Sequence, residues 1–307
     1  MRDRVEKRET KPKRPALILR LVWTWGWHPG RMASEVLEWI EVLFVAGILA
    51  FLVITFITVR MHVPTQSMYP TINGDQNGLK ADSFFVDKIS YYFRSPKPGD
   101  IVVFWHTEAV TVAAVADGSA AARARLKAKD QILYVNREQI FSAAEANQAI
   151  AALPDGTEIL LGTSRIGAVD LGAKRAGAGS LKDLGITPHD QRTRYVKRLI
   201  AVGGQTVQIK DSSVYVDGQR QTGPRFQNPN GLPRTYTSDD SRMRFGVDPT
   251  KPTVVPQGMW FVLGDNSADS FDSRFWGFVD KKDFIGEPYL RVWPLSRFGP
   301  MNGYFHF

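Results

Sequence analysis

The sequence predicts a mainly β protein, in which a β-rich domain stands on one N-terminal apolar helix and is interrupted by a small α/β insert. Three observations carry that expectation. One long apolar run, Val42–Val59, lies near the N-terminus. Two later stretches, Tyr195–Val202 and the strand-like start of Trp260–Val279, have the short apolar patterning of buried strands. Between the N-terminal part and Tyr195, a segment from Val110 to Thr163 alternates strand and helix patterns of its own.

Val42–Val59 has 18 residues without a charge, and at 1.5 Å per residue it covers about 27 Å, close to the hydrocarbon thickness of a bilayer. Val36, Leu37, Trp39 and Ile40 extend it, so a transmembrane helix is expected over 36–60. A cleaved signal peptide and a buried core helix are the competing readings; the length of the run and of the basic region ahead of it argue against the first. Of the net charge of +8, residues 1–34 supply nine Lys/Arg against three Asp/Glu. Such a basic segment reads as a cytoplasmic flank that attracts anionic lipid, which puts everything after Arg60 outside. Trp23, Trp25 and Trp27 suit the membrane interface. The remaining charge is nearly balanced, so no nucleic-acid partner is expected.

Composition narrows the chemistry. The chain of 307 residues has no cysteine, which excludes cysteine-protease chemistry, thiolate metal sites and disulfides. Its five histidines, at 28, 62, 106, 189 and 306, form no HExxH pattern, and neither a metal nor a cofactor is expected. Ser67 stands in VPTQSMYPTI, between Pro64 and Pro70, which stiffen the segment. It reads either as a turn serine or as a positioned nucleophile. Extended chain from Val59 to Ser67 reaches no more than about 29 Å, so Ser67 works near a membrane surface. A nucleophilic serine needs a base, and no GxSxG elbow or histidine pattern supplies one. Lys197, inside the apolar strand of RYVKRLIAVGG, is the other candidate: burial favours its neutral amine. An edge-strand lysine reaching out to water fits the same pattern. WFVLGDNSADSFDSRFWGFV reads as a strand followed by a polar loop whose spacing does not match a calcium loop.

Together these stretches resemble type I (leader) signal peptidase, the membrane-anchored Ser–Lys endopeptidase of the S26 family. PTQSMYPTI is similar to the box around the nucleophile, PKPGDIVVF to a strand box, YVKRLIAVGG to the base box, and GDNSADSFDSRFWGFV to the final box. The resemblance implies Ser67 as nucleophile, Lys197 as general base, Thr65 as oxyanion hydroxyl and Ser270 as the group orienting the lysine. It places Asp272 and Arg274 in a structural ion pair, with Arg198 and Met68 in supporting positions. It further implies preprotein substrates with small residues at −1 and −3, and a single-pass protein of the cell (inner/cytoplasmic) membrane. Ser267-Ala268 and Gly204-Gln205 depart from the usual Arg-Asp and Gly-Asp.

The intervening segment is expected as strand 110–115, helix 120–126, strand 131–135, helix 143–153 and strand 157–163, with Ser142 and Glu145 forming a capping box. It resembles a PDZ domain of the bacterial protease type through Gly118-Ser119, Leu126, Asp130, Ile132, Leu133, Val135, Asn136 and Ile140. A peptide or protein partner is implied, although no carboxylate-binding loop precedes Val110; a docking or spacer role is the alternative. The expected organisation is a basic segment 1–34, the helix 36–60, a discontinuous catalytic domain 61–106 and 192–307, the insert 108–166 and a flexible linker 167–191. Residues 221–256 are expected as an excursion, partly disordered. Trp105, Phe275, Trp276 and Trp293 suit either lipid contact or a core. The rival functions are a specialised processing protease, a LexA-like self-cleaving protein, and an inactive membrane-tethered PDZ-type adaptor.

Overall fold

The computed structural model describes residues 16–53, 57–76 and 78–301, in two compact units, Met1–Val59 and Arg60–Phe307. In the first unit, helices α1 (Leu17–Thr24) and α2 (Arg31–Leu52) are tied by Glu41, whose carboxylate accepts the backbone N–H groups of Leu17 and Ile18 at 3.0 and 2.7 Å. An acidic group there satisfies open N–H donors at a helix start. Val42, Leu43, Phe44, Leu49 and Phe51 are all exposed, and α2 buries no residue. Among the described residues no helix is long and apolar enough to cross a membrane, and Ile54–Phe56 of the expected span lie outside them. The expected helical end at residue 60 is corrected: strand β1 (Thr58–His62) starts first, as β-branched Thr58 and Val59 favour.

The second unit continues with β2 (Ser83–Asp87), α3 (Ser90–Phe93), β3 (Ile101–Val115), α4 (Ala120–Arg123), β4 (Gln131–Val135), β5 (Glu138–Gln139), α5 (Ala143–Ala152), β6 (Glu158–Thr163) and β7 (Gly167–Lys174). After β7 come β8 (Ile186–Val202), β9 (Thr206–Lys210), β10 (Ser213–Val216), β11 (Gln219–Arg220), β12 (Thr253–Val254), β13 (Met259–Leu263), α6 (Ser273–Trp276), β14 (Val279–Asp280), β15 (Phe284–Trp293) and β16 (Gly299–Pro300). The large sheet runs β1-β2-β15-β3-β4-β6-β7, with β8 paired to both β3 and β13; a smaller sheet runs β11-β10-β9-β12.

The antiparallel β3–β8 ribbon is the spine, paired from Ile101 opposite Arg198 down to Val115 opposite Ile186. One end packs Val102, Phe104 and Leu199 with Trp260, Phe275 and Trp276. The other end supplies Val110, Val112 and Ile186 to the core of the insert, with Ile132, Ile150 and Leu161. Phe275 and Trp276 are therefore core residues, while Trp105 and Trp293 are 40% and 42% exposed. The linker expected over 167–191 is not a linker. It contains β7 and the start of β8, and Leu171, Leu181 and Leu184 are buried in the insert core. Its glycines, alanines and lysines hide a few apolar anchors, each of which would cost about 2–5 kcal/mol if cut to alanine. The expected partial disorder of 221–256 is corrected in the same way, because Phe226, Tyr236 and Val255 are packed into the core of the smaller sheet.

Candidate active site

Ser67 sits in a tight helical turn, Gln66–Met68, and is 5% exposed. The turn is held from several sides. Met68 is fully buried and its carbonyl accepts the N–H of Ile72. The Ser67 carbonyl accepts the N–H of Asn266 at 3.0 Å, and Asn266 Nδ2 donates to the Gln66 carbonyl at 3.1 Å. Gly74 allows the chain to fold back on itself, since a methyl there would lie 1.8 Å from the Thr65 carbonyl oxygen. Pinning a nucleophile by its own backbone restricts the positions that Oγ can occupy.

Lys197 projects from β8 and is 4% exposed. Its Nζ lies 2.6 Å from Ser67 Oγ and donates to it in this arrangement. With the amine neutral, the same pair can form with Ser67 donating to nitrogen, and no heavy atom need move. Burial pushes the Lys197 amine down to about 8; the carboxylates of Asp272 and Asp265 oppose that shift and Arg274 assists it. Thr65 Oγ1 stands 3.3 Å from Ser67 Oγ. The serine and lysine open onto a groove of about 690 Å³, whose walls include Val63, Thr65, Tyr195, Asp269 and Ser270.

Ser270 is brought to the pocket but not into the expected bond. Its Oγ is buried and has no hydrogen-bond partner among the described residues, while the Lys197 amine donates to Ser67. Gly264 permits this close packing: a Cβ there would meet Ser270 Oγ at 2.1 Å and the Ser67 carbonyl oxygen at 2.5 Å. Asp272 and Arg274, both fully buried, form a two-armed ion pair at 2.8 and 2.9 Å. Asp272 Oδ2 also accepts the Gly264 N–H, and Arg274 donates to the carbonyls of Ser267 and Thr237. That pair fixes the loop carrying Ser270.

On the opposite face of β8, Arg198 donates twice to Asp265, at 2.7 and 2.7 Å, and once to the Gly99 carbonyl at 2.5 Å. Asp265 also accepts from Thr71 Oγ1 at 2.5 Å and pairs with Arg234 at 3.2 Å. Sequence reasoning did not single out Asp265, Asn266, Gly264, Thr71 or Arg234. The triplet Gly264-Asp265-Asn266, directly ahead of the polar loop, was the signal for three of them. Arg234 and Thr71 had none, since their partners lie far away in the chain.

A serine hydroxyl held by a buried amine of lowered pKa, on a β scaffold, has the composition of an acyl-transfer centre of the serine–lysine type. The chain belongs to the signal peptidases of family S26: the model "Signal peptidase, peptidase S26" matches residues 36–171 and 174–293. It is 25% identical over 269 residues to a signal peptidase I of Leptolyngbya laminosa, covering 88% of this chain and 85% of that one. It is 28% identical over 278 residues to signal peptidase I of Mycobacterium tuberculosis, covering 87% and 75%. A crystal structure of a signal peptidase I from Enterococcus faecalis is 32% identical over 32% of this chain and 84% of its own, with a TM-score of 0.24.

Proposed function

We propose that the protein is a membrane-anchored serine endopeptidase that removes N-terminal signal peptides from exported preproteins, with Ser67 as nucleophile and Lys197 as general base. The observation that carries this reading is the 2.6 Å approach of Lys197 Nζ to Ser67 Oγ inside a buried pocket, in a chain of the S26 family. In the first step the neutral amine takes the hydroxyl proton as Oγ attacks the scissile carbonyl. The resulting oxyanion is held by the Ser67 N–H and the Thr65 hydroxyl. Lys197 then passes its proton to the departing amine, which leaves an acyl-enzyme ester. Water that loses a proton to the same lysine hydrolyses the ester and restores Ser67. Ser270 orients the amine once Ser67 Oγ has left it to bond carbon, a role that suits its unpartnered hydroxyl.

The substrate is an extended preprotein segment with small residues at −1 and −3, lying in the groove beside Val63 and Tyr195. The exposed apolar surface of α2, behind a basic N-terminal segment, supports a single lipid anchor with the N-terminus in the cytoplasm and Ser67 outside. The insert is a PDZ-like module with either a peptide or protein partner or a docking or spacer role; its strands and capped helix support the PDZ-like half of that reading. The inactive-adaptor reading is disfavoured by the close Ser67–Lys197 pair.

The test is cleavage of a preprotein in detergent by wild type, Ser67→Ala and Lys197→Ala. Wild type alone is expected to cleave, after a small residue. Equal behaviour of all three would remove the support for the pair and favour the adaptor.

A further inference from the structure

Phe141 belongs to the insert by sequence but not by packing. It is 5% exposed and lies in the core of Val102, Phe104, Leu199 and Trp276, behind the serine–lysine pair. Its backbone is firmly set. The Phe141 N–H donates to Glu145 Oε2 at 2.8 Å, Ser142 Oγ accepts the Glu145 N–H at 3.1 Å, and the Ala143 N–H donates to Asp190 Oδ1 at 2.8 Å. The capping box at the start of α5 thus presents one aromatic ring away from the insert's own core.

Two contact routes lead from that ring to the reacting groups. On one, Phe141 meets Phe271 edge-on at 5.6 Å between ring centroids, and Phe271 follows Ser270 directly in the chain. On the other, Phe141 lies 6.5 Å from the ring of His106, which packs on Tyr195 at 4.7 Å and on Trp276 at 4.4 Å. The Tyr195 ring in turn lies 5.3 Å from Lys197 Nζ. The register accounts for this row: Val102 faces Lys197, Phe104 faces Tyr195 and His106 faces Thr193, so alternate residues of both strands share one face. His106 Nε2 is buried with no hydrogen-bond partner among the described residues, and burial together with the nearby Lys197 charge pushes the ring down to about 3. It is a neutral plate at any working pH.

We propose that Phe141 and His106 are positioning residues for Lys197: through them the insert closes the back of the lysine pocket to water, and so it is a working part of the catalytic centre. This rests on the serine–lysine reading above. The charged groups acting on Lys197 are Asp265, Asp269, Asp272 and Arg274. Glu108, Asp239, Asp240, Arg194 and Arg242 line the outer groove. A change at Phe141 removes none of these charges, so a moved profile would report hydration of the amine rather than a lost ion pair.

The experiment is the pH dependence of kcat/KM on a preprotein in detergent for wild type, Phe141→Ala and Phe141→Leu. Leu160→Ala, on the insert surface, and Ser67→Ala serve as controls. Phe141→Ala is expected to move the rising limb up by about one pH unit, which is about a tenfold loss at pH 7 with most of the rate recovered at high pH. Phe141→Leu keeps the pocket dry, and its midpoint, like that of Leu160→Ala, is expected to stay with wild type. An unmoved midpoint in Phe141→Ala, whether the rate falls uniformly or not at all, overturns the proposal. If Phe141→Ala shows no cooperative melt, His106→Ala replaces it under the same two outcomes. Cleavage by Ser67→Ala would instead overturn the serine–lysine reading itself, whatever the profiles show.

Discussion

Lys197 and Arg198 are neighbours on one strand, each 4% exposed, and the fold treats them in opposite ways. The lysine faces a pocket where its nearest partner is a neutral hydroxyl, and burial drives its pKa down. The arginine is equally buried, and that burial alone would lower its pKa. Its two-armed bond to Asp265 outweighs the effect, and the net shift is upward. A buried charge without a partner sheds its proton, whereas a buried charge with a fork of acceptors stays charged and becomes structural. On one face of β8, burial costs stability and favours a neutral amine. The other holds, through Asp265, the loop that runs on to Asn266 and the Ser67 turn.

Substitutions on the two faces should separate their roles. The largest effect is expected for Ser67→Ala and Lys197→Ala, which should lower preprotein cleavage by at least about 10³-fold while the melting transition is kept. Arg198→Met should act through stability, costing about 3–5 kcal/mol in denaturant unfolding because buried Asp265 loses its main partner. If Arg198→Met folds normally and only slows catalysis, the division between the two faces is wrong.

Lys197→Met should do the reverse and stabilise the inactive protein at pH 7, by up to about 3 kcal/mol, the equivalent of a drop from the ordinary lysine value of 10.5 to about 8. The folded amine loses its proton near pH 8 and the unfolded one near 10.5, so between those values the unfolded chain binds more protons. Wild-type stability therefore rises with pH across that window, and the advantage of Lys197→Met fades there. Denaturation midpoints at pH 7 and pH 10 check this. The smallest effect is expected for Ser270→Ala, a loss of no more than about tenfold in kcat, since its hydroxyl has no partner in the resting site.

The contrast also explains what the sequence revealed. Locally, a serine between prolines and a lysine in an apolar strand read equally as a turn residue and an edge-strand residue; the order of the four family boxes is what singled out Ser67 and Lys197. Asp265 was marked only as part of the Gly264-Asp265-Asn266 triplet, and nothing local says which of several acidic residues reaches back across β8 to Arg198. The strands and the capped helix α5 of the insert follow from local patterning. Its far boundary did not, because the buried leucines at 171, 181 and 184 are spaced among glycines and lysines and gain meaning only when packed. Nor did local patterning show that β3 and β8 run without a break through both cores. Pairing over that distance is a tertiary fact.

The measurement that bears most directly on the central claim is the pH dependence of wild-type kcat/KM on a preprotein, from pH 6 to 10, beside Lys197→Ala. A neutral buried amine as base requires a rising limb with its midpoint near 8, absent in the variant. A limb near 6.5 that survives in Lys197→Ala, or a flat profile, would contradict it.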